Sequence, residues 1–371
     1  MINFEFLPAS NGDCIFITLS DEKFILIDGG YASTYTKSIK QRIKTIKENS
    51  KDLDLVVVTH VDNDHVQGIL KLLGGEYADL VKKIWFNSGK ILSDYFSSDV
   101  VPDKIDLIET QSNSEEIGIR DGNKLEDKIE ELKLTIDSPI KFDTFDIVND
   151  LEFTVISPND NNLKVLSDEW NAVLKEELKR ESSSEVGAKK NDYDKSIDWL
   201  IKNPFSSDSS IANGSSIAFI LKQNESKFLF LADAHMDVII DSLKKLEYTH
   251  VNPLKIEFVK LSHHGSKKNL NEEFLSLIDT DTYIVSTNGS PKHHHPNKET
   301  LAKIIDFHKR KAQACKFIFN YPKNGPLKEI FKELDFRQIN DSFFHIEYNE
   351  KYNFYLKFPK RSNTGARLTY E

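Results

Sequence analysis

Apolar and polar positions along the chain fall into short blocks separated by turn residues. Phe4-Glu5-Phe6-Leu7 is an apolar run that stops at Pro8, and Asn11-Gly12-Asp13 marks a turn. Residues 14–19 and 24–27 are rich in β-branched and aromatic side chains, the second run closing on Asp28-Gly29-Gly30. Both predict strands. Over 35–50 the spacing changes: Ile39, Ile43 and Ile46 recur at helical intervals and predict a helix. Residues 53–59 read as a buried strand, Val66 opens a helix that ends at Gly74-Gly75, and 83–86 reads as a short strand.

Residues 91–150 carry less pattern, with helical character over 124–132. Further strands are predicted at 151–156, 216–221, 227–231, 255–261, 282–286 and 316–319. Helices are predicted at 271–279 and from Pro296 to about 311, and a β-hairpin over 343–358 turning near Asn349-Glu350-Lys351. The charged, serine-rich stretch 161–212 reads as a helical insertion with a mobile portion. Strands alternating with helices, without a fixed-period repeat, predict an α/β protein with two sheets between helices. We expect one domain over 1–320, with a β-rich extension over 321–371 packed on it.

Composition narrows the class. With 371 residues and a net charge of −10, the chain can bury a large core but does not look like a non-specific duplex binder, which would be basic. The acidity leaves a phosphodiester substrate open, because bound cations supply local positive charge. No apolar run is long enough to span a bilayer, the first residues lack the pattern of a signal peptide, and Cys14 and Cys315 form no disulfide framework. A cytoplasmic protein is the expectation.

The candidate chemistry lies at strand ends. A buried strand runs into His60-Val61-Asp62-Asn63-Asp64-His65, four metal-competent side chains in six residues. Imidazole with carboxylate suits Zn²⁺, Mn²⁺ or iron. The alternative, Asp62 or Asp64 capping the following helix, explains one carboxylate but not two flanking histidines. Asp233 follows another apolar strand and is placed to bridge metals. His263-His264-Gly265-Ser266 ends the strand 255–261; adjacent strand residues point to opposite faces, so one histidine of the pair is expected to ligate, and the residues alone do not say which. In His293-His294-His295-Pro296, His293 and His294 read as an exposed loop and His295 as the site candidate.

Taken in this order, these motifs resemble the metallo-β-lactamase superfamily, and within it the domain of the competence protein ComEC and its stand-alone relatives. The matching stretches also include Asn11-Gly12-Asp13-Cys14, Leu26-Ile27-Asp28-Gly29-Gly30, Asn213-Gly214-Ser215-Ser216 and Leu231-Ala232-Asp233-Ala234. The resemblance implies an αββα sandwich with one or two divalent ions, Zn²⁺ or Mn²⁺, along one edge. It implies His60, Asp62, Asp64, His65 and Asp233 as ligands, Asp28 as a buried support, and a histidine of the 263–264 pair and His295 completing the site. The working assignment places His264 with the metal and Asp64, His263 and His295 in the chemistry. Two departures stand out. Members that cleave lactams or thioesters usually have a histidine where Asp62 stands, and this chain has no histidine between His65 and His235. Both make one metal position richer in carboxylate.

The expected activity is therefore hydrolysis of a phosphodiester in DNA or RNA by a metal-activated water. The competing expectations are hydrolysis of a small ester, lactone, thioester or cyclic nucleotide, and a partner-dependent effector. A protein partner would dock on the 161–212 insertion or the C-terminus, where the basic tail (Lys357, Lys360, Arg361, Arg367) is an alternative nucleic-acid contact.

Overall fold

The apolar runs form strands, and most of those strands are buried on both faces. A computed structural model describes residues 1–97, 113–176, 191–291, 293–332, 335, 343–349 and 355–358. The N-terminal runs become β1 (Ile2–Phe6), β2 (Ile15–Leu19), β3 (Phe24–Ile27), β4 (Leu55–Val57) and β5 (Ile84–Trp85). Next come β6 (Phe145–Val148), β7 (Leu151–Ser157), β8 (Ala218–Gln223) and β9 (Ser226–Phe230). The short β10 (Leu254–Lys255) precedes β11 (Phe258–Lys260), and the short β12 (Ile278–Asp279) precedes β13 (Thr282–Val285). The chain closes with β14 (Cys315–Phe319), β15 (Phe344–Tyr348) and β16 (Tyr355–Phe358).

Two mixed sheets result. The first is ordered β16-β1-β2-β3-β4-β5 and the second β15-β14-β13-β11-β9-β8-β7-β6, with β10 and β12 paired apart from both. In the first sheet β3, β4 and β5 are parallel; in the second, β9, β11, β13, β14 and β15 are. Parallel neighbours end on the same edge, so each sheet gathers several strand C-termini in one place.

Period-two alternation sorts the side chains into three apolar layers. Between the sheets, Phe4, Phe6, Ile25 and Ile27 meet Phe219, Phe228, Phe230 and Phe258. The rings of Phe4, Phe228, Phe258 and Phe358 pack with centroids 4.7–5.9 Å apart. Each fully buried ring contributes about 1.5–3 kcal/mol. On the outer face of the first sheet, Leu26 and Val56 pack with Ile39, Ile43 and Ile69. Leu229 and Val259 do the same on the second sheet with Ile239, Leu243, Leu301 and Ile305. The order of layers is helix, sheet, sheet, helix: an αββα sandwich. Among the described residues no helix is long and apolar enough to cross a membrane.

Several expectations change. The helix expected to open at Val66 starts at Asn63, so Asp64 and His65 lie in its first turn, with Asp62 at the N-cap and His60 just before it. The weakly patterned region contains the helix Asn113–Glu131 and the unanticipated edge strand β6. In the 161–212 stretch the structure describes the helix Asp160–Glu176 and short turns at Ile197–Leu200 and Ile211–Gly214. Its serine run 182–184 lies outside the described residues, as do Lys360, Arg361 and Arg367. The expected hairpin over 343–358 does not form: β15 pairs with β14 in the second sheet and β16 with β1 in the first. Both strands thereby cover sheet edges that a hairpin would leave unpaired.

One close approach locks the cluster in place. Gly29 donates to the His65 carbonyl at 2.8 Å and Gly68 to the Gly30 carbonyl at 2.9 Å. A Cβ on Gly68 would lie 1.9 Å from the Gly29 oxygen. Alanine in an unhindered helix is favoured over glycine by about 1 kcal/mol. Gly68→Ala should instead destabilise the protein by about 1–3 kcal/mol, because helix and loop must separate. Urea unfolding measures the change, and equal or greater stability in the variant would contradict the packing described.

Candidate metal centre

Asp28 and His60 follow parallel strands and so arrive at one edge, where Asp28 organises the loops. It is fully buried, and its Oδ1 accepts from the Thr59 amide while Oδ2 accepts from Thr59 Oγ1, each at 2.8 Å. Oδ2 also lies 2.8 Å from His65 Nδ1. The support role implied for Asp28 is what its contacts allow. His60 Nδ1 lies 3.0 Å from Thr59 Oγ1. Each imidazole is therefore anchored through Nδ1 with Nε2 left facing inward.

Asp62 occupies the N-cap position of the helix Asn63–Leu73, yet its side chain makes no capping hydrogen bond. Its Oδ2 instead lies 3.7 Å from His60 Nε2. The carboxylate is thus turned to His60 rather than to the helix amides. Asp64 Oδ2 accepts from Asn11 Nδ2 at 2.5 Å, and Gly12 packs directly on the Asp64 backbone, where a Cβ would meet the Asp64 oxygen at 1.9 Å.

The second sheet supplies the opposite side. Asp233 follows β9 and is buried, with Oδ2 3.7 Å from His65 Nε2 and 3.5 Å from His264 Nε2. His263 Nε2 is 3.9 Å from the same oxygen. Neither histidine of this pair has to point away from the site. Both residues sit in the turn Ser262–Gly265 with left-handed backbones, φ 45° and 54°, rather than on a strand. His295 lies beside them, its ring 4.7 Å from that of His263 and 6.5 Å from that of His264. His293 and His294, expected to be exposed, are half-buried.

The donor set fits a divalent cation. His60 Nε2, His65 Nε2, His264 Nε2 and Asp233 Oδ1 are buried without a hydrogen-bond partner. Leaving such atoms unmet costs about 1–3 kcal/mol each. Ligand atoms of His60, His65 and Asp233 lie within 4.8 Å of one another, as do those of Asp64, His65 and His264. Nitrogen with carboxylate oxygen is the chemistry of Zn²⁺ or Mn²⁺ sites.

Residues 7–75, which contain Asp28 and the whole 60–65 cluster, match the sequence profile of the metallo-beta-lactamase superfamily. The αββα sandwich is the metallo-β-lactamase fold. The chain is also similar to ComE operon protein 3 of Bacillus subtilis (strain 168), at 25% identity over 108 residues. That match covers 29% of this chain and 13% of the relative's length. Among solved structures, it is similar to the metallo-beta-lactamase fold protein YhfI from Bacillus subtilis (TM-score 0.42, 11% identity, 96% of this chain and 100% of that one). Zn(2+)-bound PqqB from Methylobacterium extorquens overlaps likewise (TM-score 0.39, 11% identity, 96% and 100%).

In this candidate site, three contributors escape the sequence reading. Asp13 reads as part of a turn, but it is buried and paired with the equally buried Lys260. Lys260 Nζ also lies 4.0 Å from Asp233 Oδ1 and donates to the Ala232 carbonyl at 3.3 Å. The signal was a lone lysine inside the apolar run Phe258-Val259-Lys260-Leu261. Asp208, in the serine-rich stretch, has Oδ2 3.1 Å from His263 Nδ1; nothing in its surroundings in the sequence distinguishes it.

Burial would raise the Asp13 carboxyl, but Lys260 and His264 hold it below the usual range. Asp233 is depressed likewise against burial, by His264, His65 and His263. Burial would lower His264, but Asp233 and Asp13 push it up to about 9 from its ordinary 6.5. His65 is raised well above its ordinary value against burial by Asp28 and Asp233. His295 is driven well below its ordinary value by burial and by the neighbouring His263 and His264.

Two outcomes follow. A histidine raised on folding stabilises the metal-free protein below its unfolded value, and that contribution is lost as pH rises through its folded value. The metal-depleted protein should therefore melt at progressively lower temperature from about pH 6.5 to 9, while metal affinity rises, because binding displaces the same protons. Thermal scans and metal titrations across that range test both signs. Separately, Lys260→Met strands Asp13 and should cost about 3–5 kcal/mol in chemical denaturation. A loss below 1 kcal/mol would show that the pair does not support the floor.

Proposed function

We propose that the protein is a metal-dependent phosphodiesterase acting on DNA or RNA. The observation that carries this reading is Asp62, which turns its carboxylate to His60 instead of capping the helix and gives the site oxygen ligands on its open side. Its side chain is 29% exposed, while His60, His65, Asp233 and His264 form a buried floor. Lys267 and Lys268, exposed immediately after the His263–Ser266 turn, support a polyanionic substrate at the same edge.

When bound, divalent ions would supply a nucleophilic water at neutral pH and offset charge building on the phosphate oxygens. The residues themselves place and hold. Asp64, fixed by Asn11, orients the attacking water from the helix start. Asp233 joins the two halves of the site. His295, whose ring lies 4.7 Å from that of His263, is pushed well below its ordinary value by burial and by its histidine neighbours, so it would act as a proton acceptor for the attacking water rather than as a donor to the leaving oxygen. ComE operon protein 3 is far longer than this chain, so only this local chemistry is carried over.

The test uses the purified full chain with Zn²⁺ or Mn²⁺ on single-stranded DNA, duplex DNA, RNA, cyclic nucleotides and a lactone. Cleavage of a nucleic acid, lost by at least about 10³-fold in Asp64→Ala with the fold retained, is the expected result. Turnover of the lactone or cyclic nucleotides alone, or full activity in the variant, would overturn the proposal.

A further inference from the structure

Two loops converge on the helix turn that carries Asp64. The loop after β3 is fastened to that helix at three points. Gly29 donates to the His65 carbonyl, Gly68 donates to the Gly30 carbonyl, and the Ala32 amide donates to Gln67 Oε1 at 3.4 Å. The loop after β1 is pressed against the same turn, because Gly12 packs on the Asp64 backbone and its carbonyl accepts from Ser286 Oγ at 3.3 Å. Tyr31 stands on the first loop and Asn11 on the second.

Their side chains meet beside the Asp64 carboxylate. The Tyr31 hydroxyl donates to Asn11 Oδ1 at 3.3 Å, and Asn11 Nδ2 donates to Asp64 Oδ2 at 2.5 Å. The order of donors and acceptors is fixed by chemistry. An amide side chain has one accepting end and one donating end. With the phenol proton on Oδ1, Nδ2 faces Asp64; turned about, the amide would set its carbonyl oxygen against a carboxylate. Asn11 is buried and Tyr31 half-buried, so water competes little for either bond. Burial, and after it the charge on Asp64, raise the phenol above its ordinary value, so it remains a donor through the neutral range. Hydrogen bonds linked in this way polarise and strengthen one another.

Asp64 is the donor of the site that most needs such bracing. It is only half-buried, whereas His65 and His264, whose ligand atoms lie within 4.8 Å of its own, are buried. Among the described residues, Asn11 is the one hydrogen-bond partner of its carboxylate. Whatever fixes the Asn11 amide therefore fixes the carboxylate.

We propose that Tyr31 is a positioning residue for Asp64: its phenol, acting through Asn11, holds the carboxylate in the orientation that serves the site. The inference rests on the functional reading above, in which Asp64 directs the attacking water. Tyr31 touches neither substrate nor metal in this role.

The test is a double-mutant cycle in the full chain with Tyr31→Phe, which keeps the ring, Asn11→Ala, and the two combined. Two quantities are measured: kcat and KM at saturating Mn²⁺ on the nucleic acid that the wild type cleaves best, and Mn²⁺ affinity of the metal-depleted chain against a chelator. Circular dichroism verifies folding. Loss of a neutral hydrogen bond should lower kcat about 5-fold in Tyr31→Phe, and loss of one to a carboxylate about 10–100-fold in Asn11→Ala, KM staying unchanged. Affinity should fall in the same order. The combined variant should be no worse than Asn11→Ala in either quantity, because residues that act through one another are not additive. Should Asn11→Ala not fold, Tyr31→Phe decides alone through kcat and affinity. Additive losses, a raised KM with kcat unchanged, or wild-type kcat and affinity in Tyr31→Phe would overturn the proposal. A wild type that cleaves no nucleic acid would instead overturn the functional reading, and the affinity cycle would still decide whether Tyr31 acts through Asn11.

Discussion

A single buried carboxylate decides whether this site exists. Asp28 ties the end of β3 to the Thr59 backbone and hydroxyl and to the His65 ring. Those contacts set the course of the 60–65 loop, the start of the helix that follows and the direction of one imidazole. A carboxylate removed from water is tolerated only when its oxygens are engaged, and here both are. The residue adopts a left-handed backbone (φ 55°), a conformation that local preference alone would not select. The surrounding sandwich provides the compensation: rigid parallel strands on both sides hold the strained turn in place.

Charge balance at the floor follows the same logic. Asp13, Asp28 and Asp233 are all buried within one region, which would be untenable with no positive charge among them. Lys260 pairs with Asp13, and His65 and His264, raised by their carboxylate neighbours, add positive charge in the metal-free protein. Imidazolium and metal are thus interchangeable counter-charges for one set of carboxylates, while Lys260 is common to both states.

Much of this was legible in the sequence, for identifiable reasons. Strands buried on both faces read as continuous apolar runs, and His60–His65 is informative because its donors lie close together along the chain. What escaped depends on contacts between distant segments. Asp13 meets Lys260 only because the two sheets stack face to face, and Asp208 meets His263 only because segments 55 residues apart in the second half of the chain fold together. The histidine pair was misjudged because alternation assumes an extended backbone, and nothing in His-His announces two consecutive left-handed residues. The expected hairpin failed for a related reason: a strand's partner is set by which edges stand open elsewhere, which the local pattern around 343–358 does not contain.

That division of the last strands bears on how the molecule is assembled during synthesis. β1 is made before either of its partners and finds β2 at once, but its other neighbour is β16, among the last residues described. Until those residues leave the ribosome, the first sheet exposes the backbone of Ile2–Phe6 on its open side, and the second lacks β15 beyond β14. The edge that carries the candidate site is built from segments made earlier. Closure of the sandwich is therefore the late event, and a nascent chain paused before it would offer a bare sheet margin to neighbouring polypeptides.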